Sequence, residues 1–128
     1  MEKDFESWNI VKQKLDSNHQ PPFFKEREIW WCSIGINIGF EIYGKGVIMT
    51  RPVLILKKFS HTTFLSIPLT SKAKEGKPFC IPFSYKGKDG SVLLDQIRTM
   101  DSRRLAQRMG RITENQFETI KQALIGLL

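Results

Sequence analysis

The chain has 128 residues, 41% of them hydrophobic, which is enough for one globular domain and too apolar for a disordered chain. Its 20 lysines and arginines exceed its 13 acidic residues, giving a formal net charge of +7, and such a surplus on a small domain indicates an anionic partner, most commonly nucleic acid. No apolar stretch is long enough to cross a bilayer, and the polar first residues do not resemble a signal peptide, so we expect a cytoplasmic protein with no membrane partner.

Residues 1–25 are predicted to form a helical extension and a connector in front of the main domain. Their apolar residues recur at helical spacing. These residues are Phe5, Trp8, Val11 and Leu15. Pro21 and Pro22 forbid the helix to continue, so that residues 26–128 are expected to form the single main domain.

Closely spaced short strands are predicted in the first three quarters of the main domain. The β-branched and apolar segments are EIWWCSIGI, PVLILKK, TTFLSIPL, FCIPFSY and SVLLDQIRTMD. The continuous apolar run in PVLILKK predicts a strand buried on both faces, and Pro82 predicts an edge strand or a bulge. A hairpin turn is expected at Asp89-Gly90, and SRRLAQRMG is expected to be a short helix or a turn.

The C-terminal residues predict a helix. Thr113 can cap it, and Gln116 three residues later completes a capping box. Phe117, Ile120 and Leu124 then fall on one face. Short strands followed by one terminal helix predict a mainly β fold, a small antiparallel barrel, and not a parallel α/β sheet.

Most familiar enzyme signatures are missing from the sequence. It contains no phosphate-binding loop, dinucleotide-binding fingerprint, zinc-protease motif or serine-hydrolase elbow. His19 and His61 fall in predicted loops and are interpreted as solvated, although a ribonuclease with two histidines is conceivable. Cys32 and Cys80 lack metal-binding spacing and are expected to be buried thiols. No acidic cluster suits Mg²⁺, so we expect neither a metal nor another cofactor.

Polar residues at the predicted strand ends are the remaining candidates for chemistry. Arg51 precedes one buried strand, Thr70 and Ser71 follow the next, and Gln96 interrupts an apolar segment. RNA carries its own nucleophile, the 2′-hydroxyl, so that a guanidinium and a hydroxyl are sufficient to assist its cleavage. A surface arginine and an ordinary turn would explain the same residues, so residue chemistry alone leaves the function open.

Four segments in order resemble the successive landmarks of the MazF/PemK family, the toxins of type II toxin–antitoxin pairs. They are REIWWCSIGINIGFE, TRPVLILKK, SIPLTSK and VLLDQIRTMDSRRLAQRMGRIT. The resemblance runs from about Arg27 to the C terminus. It implies an SH3-like, CcdB-like barrel with a C-terminal helix, which forms a homodimer and pairs with a cognate antitoxin that has an acidic tail. It also implies metal-independent cleavage of single-stranded messenger RNA at short motifs, leaving a 2′,3′-cyclic phosphate and a 5′-hydroxyl.

The resemblance places the catalytic arginine of the family on Arg51 and its catalytic threonine on Thr70. Arg51 would stabilise the phosphorane and act as the acid, and Thr70 would orient the 2′-hydroxyl or relay its proton. The expected substrate-binding residues are Gln96, Ser71, Glu41, Phe40, Tyr43, Lys45 and Lys72. Two alternatives stay open at this point: a CcdB-like toxin that binds DNA gyrase without cutting RNA, and a nucleic-acid-binding barrel without catalysis.

Overall fold

A computed structural model describes residues 22–34, 50–71 and 77–128, and these residues form a seven-stranded antiparallel sheet followed by one α-helix. The strands are β1 (Glu28–Ser33), β2 (Thr50–Lys58), β3 (Thr63–Thr70), β4 (Cys80–Tyr85), β5 (Lys88–Leu93), β6 (Arg98–Asp101) and β7 (Leu105–Arg111). The helix spans Glu114–Leu127, and two 3₁₀ helices span Leu94–Gln96 and Ser102–Arg104. The mainly β prediction is therefore confirmed. The predicted N-terminal helix falls in residues 1–21, outside the described residues, and the domain boundary after residue 25 stays a prediction.

Strands β2 and β3 form the centre of the sheet, whose order is β4-β5-β3-β2-β1-β7, with β6 also paired to β3. The four residues from Val53 to Leu56 are all buried, which confirms the prediction of a strand covered on both faces. Successive side chains along a strand point to opposite faces, so the buried side chains form two clusters, one on each face of the sheet. The helix-side core contains Ile29, Leu54, Leu56, Ile67, Leu69, Val92, Leu94, Ile112, Phe117 and Ile120. The β6-side core contains Phe24, Trp30, Cys32, Val53, Ile55, Phe64, Met100 and Leu105.

The two ends of the strand order meet, so that the sheet curls on itself as in a small barrel. The phenolic oxygen of Tyr85 in β4 occupies the space where a Cβ of Gly110 in β7 would lie. Next to this contact, Lys86 Nζ donates a hydrogen bond to the Met109 carbonyl oxygen at 3.4 Å. The position of β4 at one end of the order confirms the edge strand predicted from Pro82, whose side chain is exposed.

The hairpin turn between β4 and β5 lies at Lys86-Gly87, and the prediction of a turn at Asp89-Gly90 was wrong. Tyr85 pairs with Lys88, and both residues of the two-residue loop have positive φ, 51° and 76°. This is the backbone that a tight hairpin requires, and glycine adopts it readily. Asp89 and Gly90 belong instead to β5.

Two further local predictions were wrong between residues 91 and 111. The segment SVLLDQIRTMD is interrupted by the 3₁₀ helix Leu94–Gln96 and does not form one strand. In SRRLAQRMG only Ser102–Arg104 is helical, and the rest forms β7, paired with β1. Register shifts in this pairing interrupt the alternation of buried and exposed residues that identifies a strand in a sequence.

The C-terminal helix confirms the predicted capping box. The Thr113 hydroxyl accepts a hydrogen bond from the Gln116 backbone N–H at 3.1 Å, and the Gln116 side chain accepts one from the Thr113 N–H at 3.2 Å. Such caps stabilise a helix by about 1 kcal/mol. Phe117 and Ile120 are buried in the helix-side core. Among the described residues, no helix is both long and apolar enough to span a membrane.

A buried carboxylate, Glu28, joins β1 to β7. It accepts hydrogen bonds from Trp30 Nε1 at 3.1 Å, from Arg108 Nε at 2.6 Å and from the Lys25 backbone N–H at 2.7 Å. Burial by itself would raise the pKa of Glu28, but these hydrogen bonds and the charge of Arg108 outweigh it, so that the pKa is lowered. The ionised form is therefore the one that the fold stabilises.

We expect this carboxylate to make the free energy of unfolding depend on pH in the acidic range. Because its folded-state pKa lies below the ordinary value of 4.5, its contribution is present above that pH and is lost as the pH falls towards the folded-state value. Glu28→Gln should lower the free energy of unfolding at pH 7 by roughly 2 kcal/mol. Urea unfolding between pH 3 and pH 7 measures both effects. A variant whose stability keeps the full slope of the wild type below pH 4.5 would contradict this assignment.

Candidate active site at the ends of β2 and β3

Arg51 and Thr70 lie at the same end of the central strand pair. The pairing of β2 with β3 ends at Val53 and Pro68, and Arg51 and Thr70 each lie two residues beyond that pair. Since side chains two residues apart point to the same face, Arg51 lies on the face of Val53 and Thr70 on the face of Pro68. Paired residues share a face, so both side chains belong to the side of the β6-side core. The structure thus places the two residues that the sequence identified at one end of the strand pair and on one face.

Thr70 is held on its other side by β5. Leu69 pairs with Val92, and Thr70 pairs with Ser91. Ser91 is fully buried, with 0% of its surface exposed, so that a second hydroxyl-bearing residue lies directly opposite Thr70. The sequence analysis missed Ser91 because this pairing joins segments about 20 residues apart and nothing local to either segment announces it.

The guanidinium of Arg51 is largely removed from water. Only 8% of the residue is exposed. Burial lowers the pKa of Arg51, yet arginine starts from so high a value that it stays protonated at neutral pH. A positive charge with little water around it interacts more strongly with an approaching anion than one in bulk solvent. The site is therefore suited to a negatively charged group.

Two further arginines approach the β1 side of this site. In β1, Cys32 pairs with Arg51, and Arg104 donates a hydrogen bond to the Ser33 carbonyl oxygen at 3.2 Å. Burial raises the pKa of the Cys32 thiol to about 12, although the charges of Arg104 and Arg98 act in the opposite direction. The thiol is therefore protonated and is no nucleophile. Through its hydrogen bond to Ser33, the Arg104 guanidinium lies beside the end of β1 that carries Cys32.

Sequence reasoning passed over Arg98 and Arg104 as site residues. Arg98 lies two residues before Met100 in β6, on the same face, and Met100 Sδ is 3.8 Å from Cys32 Sγ. Arg98 is also the first residue of β6 and pairs with Ser66, so that it is the residue of β6 paired closest to Thr70 along β3. The pairing of β6 with β3 places Arg98, and the hydrogen bond to the Ser33 carbonyl oxygen places Arg104, and neither contact can be read from the local sequence.

Ser71 and Gln96 lie beside the strand that carries Thr70. Ser71 follows Thr70 directly and is exposed. The chain pairs with β3 through Val92 and again through Arg98, and Gln96 lies half-buried in the 3₁₀ helix between these two pairings. Gln96 thus lies in a segment that flanks β3 outside the regular ladder, and its part in substrate binding stays a prediction.

The other predicted substrate-binding residues lie outside the described residues. Phe40, Glu41, Tyr43 and Lys45 fall in residues 35–49, and Lys72 falls in residues 72–76. Within the described ranges, no group of three His, Cys, Asp or Glu side chains is arranged to hold a metal ion. There, His61 is exposed in the connection between β2 and β3.

Several solved structures share this fold. MazF from Deinococcus radiodurans is 25% identical, with a TM-score of 0.64 over 84% of this chain and 96% of that chain. A MazE–MazF structure from the same organism is 22% identical, with a TM-score of 0.62 over 84% and 94% of the two chains. An endoribonuclease in complex with its cognate antitoxin from a mycobacterial species is 18% identical, with a TM-score of 0.59 over 83% and 98%. No curated protein matches the sequence.

The family model described as a PemK-like, MazF-like toxin of type II toxin–antitoxin systems matches residues 25–128. This range includes every strand and the helix described above, together with Arg51, Thr70 and the arginines around them. The chain therefore belongs to the PemK-like, MazF-like family of toxins.

Proposed function

We propose that this toxin is an endoribonuclease that cleaves single-stranded RNA at short motifs without a metal ion. The observation that carries the proposal is the placement of a buried guanidinium, Arg51, and a hydroxyl, Thr70, at one end and on one face of β2 and β3. Two neighbours in fold support it, since both are endoribonucleases from mycobacterial species, one of them in complex with its antitoxin.

The proposed reaction uses the chemistry of RNA itself. The 2′-oxygen attacks the adjacent phosphorus as its proton passes through the Thr70 hydroxyl to solvent water, and a pentacoordinate phosphorane forms. The bond from phosphorus to the 5′-oxygen then breaks as that oxygen takes a proton from Arg51, which solvent water restores. The products are a 2′,3′-cyclic phosphate and a 5′-hydroxyl. The extra negative charge of the phosphorane is what the enzyme must stabilise, and one well-placed donor is worth about 3–4 kcal/mol, or 10²–10³ in rate.

Arg51 is the residue proposed to meet that charge. Its planar guanidinium can donate two parallel hydrogen bonds to phosphate oxygens, which fixes the geometry as well as the charge. Thr70 is proposed to orient the 2′-hydroxyl or to relay its proton. Its hydroxyl stays protonated at neutral pH, and a neutral hydroxyl is a weak base, so orientation is the larger part of its role. Arg98 and Arg104 would attract the neighbouring phosphates.

We expect Arg51→Ala and Thr70→Ala each to lower the rate of RNA cleavage by at least about 100-fold while the protein stays folded. Arg111→Ala and Thr99→Ala are matched controls, because Arg111 lies at the far end of β7 and Thr99 is exposed in β6. Cleavage of a fluorogenic single-stranded RNA measures the rate, and circular dichroism checks the fold. Full activity in either site variant would refute the assignment of that residue.

Chelation and substrate chemistry test the mechanism separately. Cleavage should continue in EDTA, and a 2′-deoxy nucleotide at the cleaved position should stop it, because the nucleophile is then missing. Loss of activity in EDTA would overturn metal independence. Intact RNA together with inhibited DNA supercoiling would favour a CcdB-like gyrase toxin. Salt-sensitive RNA binding without product would indicate a binding protein that does not cut.

We also propose that the toxin is a homodimer and that it pairs with an antitoxin that has an acidic segment. The net charge of +7 favours such a partner, and a MazE–MazF complex from D. radiodurans is among the structures with this fold. Light scattering should give twice the mass of one chain. A glutamate-rich peptide should inhibit RNA cleavage, less so at high salt, whereas a neutral peptide should not. A monomeric mass would contradict the homodimer, and equal inhibition by both peptides would contradict the acidic partner.

A further inference from the structure

A buried glycine in β5, Gly90, lies against the backbone of Thr70. A Cβ at position 90 would collide with the Thr70 carbonyl oxygen, and it would lie 3.3 Å from the Thr70 carbonyl carbon and 3.5 Å from the Ser71 Cα. The next residue, Ser91, is the one that pairs with Thr70. The bare α-carbon of Gly90 therefore makes room for the end of β3.

The glycine is needed here for space and not for backbone conformation. Among the described glycines only Gly87 has a positive φ, so any L-amino acid can adopt the backbone of Gly90. What excludes a side chain at this position is the main chain of Thr70 and Ser71. Unlike a side chain, these backbone atoms cannot rotate out of the way.

We propose that Gly90 is a positioning residue for the ribonuclease reaction, because its missing side chain sets how closely β5 approaches and thus where Thr70 lies relative to Arg51. This inference rests on the proposed function. Gly90 itself touches no reacting atom in this scheme. It acts through the backbone of Thr70, whose hydroxyl is the group that would meet the RNA.

The end of β3 is the part that yields when a side chain is added at position 90. The body of β5 is fixed, because Ser91, Val92 and Leu93 are buried and Gly90 itself pairs with Phe83 of β4. Thr70, in contrast, is the last residue of β3, only half-buried, and the residue after it is exposed. To bring a Cβ at position 90 and the Thr70 carbonyl oxygen to an ordinary contact distance, the Thr70 backbone must shift by a distance on the order of 1 Å. A misplacement of that size at a reacting group costs about 100-fold in rate.

Gly110 provides a matched control for this position. It is also a buried glycine in a strand, and a Cβ there would also collide, but with the phenolic oxygen of Tyr85, the far end of a side chain. It lies beside Ile29 in β1, three residues from Cys32, the residue that pairs with Arg51. Gly110→Ala therefore introduces an overlap away from the candidate site that a side chain can move to relieve.

We expect Gly90→Ala to lower kcat on a fluorogenic RNA by about 100-fold and to change the Kd of an uncleavable 2′-O-methyl RNA by less than about threefold. Gly110→Ala should keep kcat within about threefold of the wild type, even if its Tm falls. In threonine methyl NMR spectra, the Thr70 resonance should move in Gly90→Ala and stay in place in Gly110→Ala.

A double variant separates a positioning role from a general loss of structure. If Gly90 acts through Thr70, the variant with both Gly90→Ala and Thr70→Ala should cleave RNA no more slowly than Thr70→Ala alone. Additive losses, an unshifted Thr70 resonance, or a Gly90→Ala protein that fails to fold would each overturn the inference. If the wild type cleaves no RNA, the proposed function fails, while the Thr70 resonance still tests whether Gly90 positions that residue.

Discussion

The antiparallel pairing of β2 with β3 is the constraint on which the candidate site depends. Both strands bury consecutive apolar residues, so a slip of one residue would exchange the side chains of the two cores. The register is therefore fixed by packing along the whole pair. Val53 and Pro68 are the last paired residues at one end of this pair. Arg51 and Thr70 lie two residues beyond them and therefore share their face and their end of the sheet. The hydrophobic effect that stabilises the barrel also orients the two polar residues.

Burial removes water from the charge of Arg51, which costs hydration free energy and strengthens its interaction with an anion. Only 8% of the Arg51 residue is exposed, and this burial is the physical cause of its lowered pKa. In the proposed reaction the phosphorane carries more negative charge than the ground-state phosphate, so a desolvated cation stabilises the transition state more than the substrate. Arg98, paired with Ser66, and Arg104, bonded to the Ser33 carbonyl oxygen, would add attraction that acts over a longer distance and that salt screens more readily.

Thr70 is positioned from two directions. On one side it continues β3 beyond the pairing with β2, and on the other it pairs with Ser91 of β5. Gly90 lets β5 come close enough for this second contact, since any larger residue would meet the Thr70 backbone. In the proposed role the Thr70 hydroxyl acts through its position, so the pairing with Ser91, which holds its backbone on the β5 side, suits that role.

The sequence by itself determined the features that depend on neighbouring residues. The capping box of Thr113 and Gln116, the doubly buried apolar run of β2 and the edge position of β4 were all predicted, because each follows from local chemistry. Arg51 and Thr70 were identified through the resemblance of the segments around them to a known family. The tertiary structure alone decided that β7 is a strand, that the hairpin turns at Lys86-Gly87, and that Gly90 and Ser91 meet Thr70. The physical reason is that strand pairing joins residues distant in the chain, and the space available at a position such as Gly90 is set by the partner strand, not by its own neighbours.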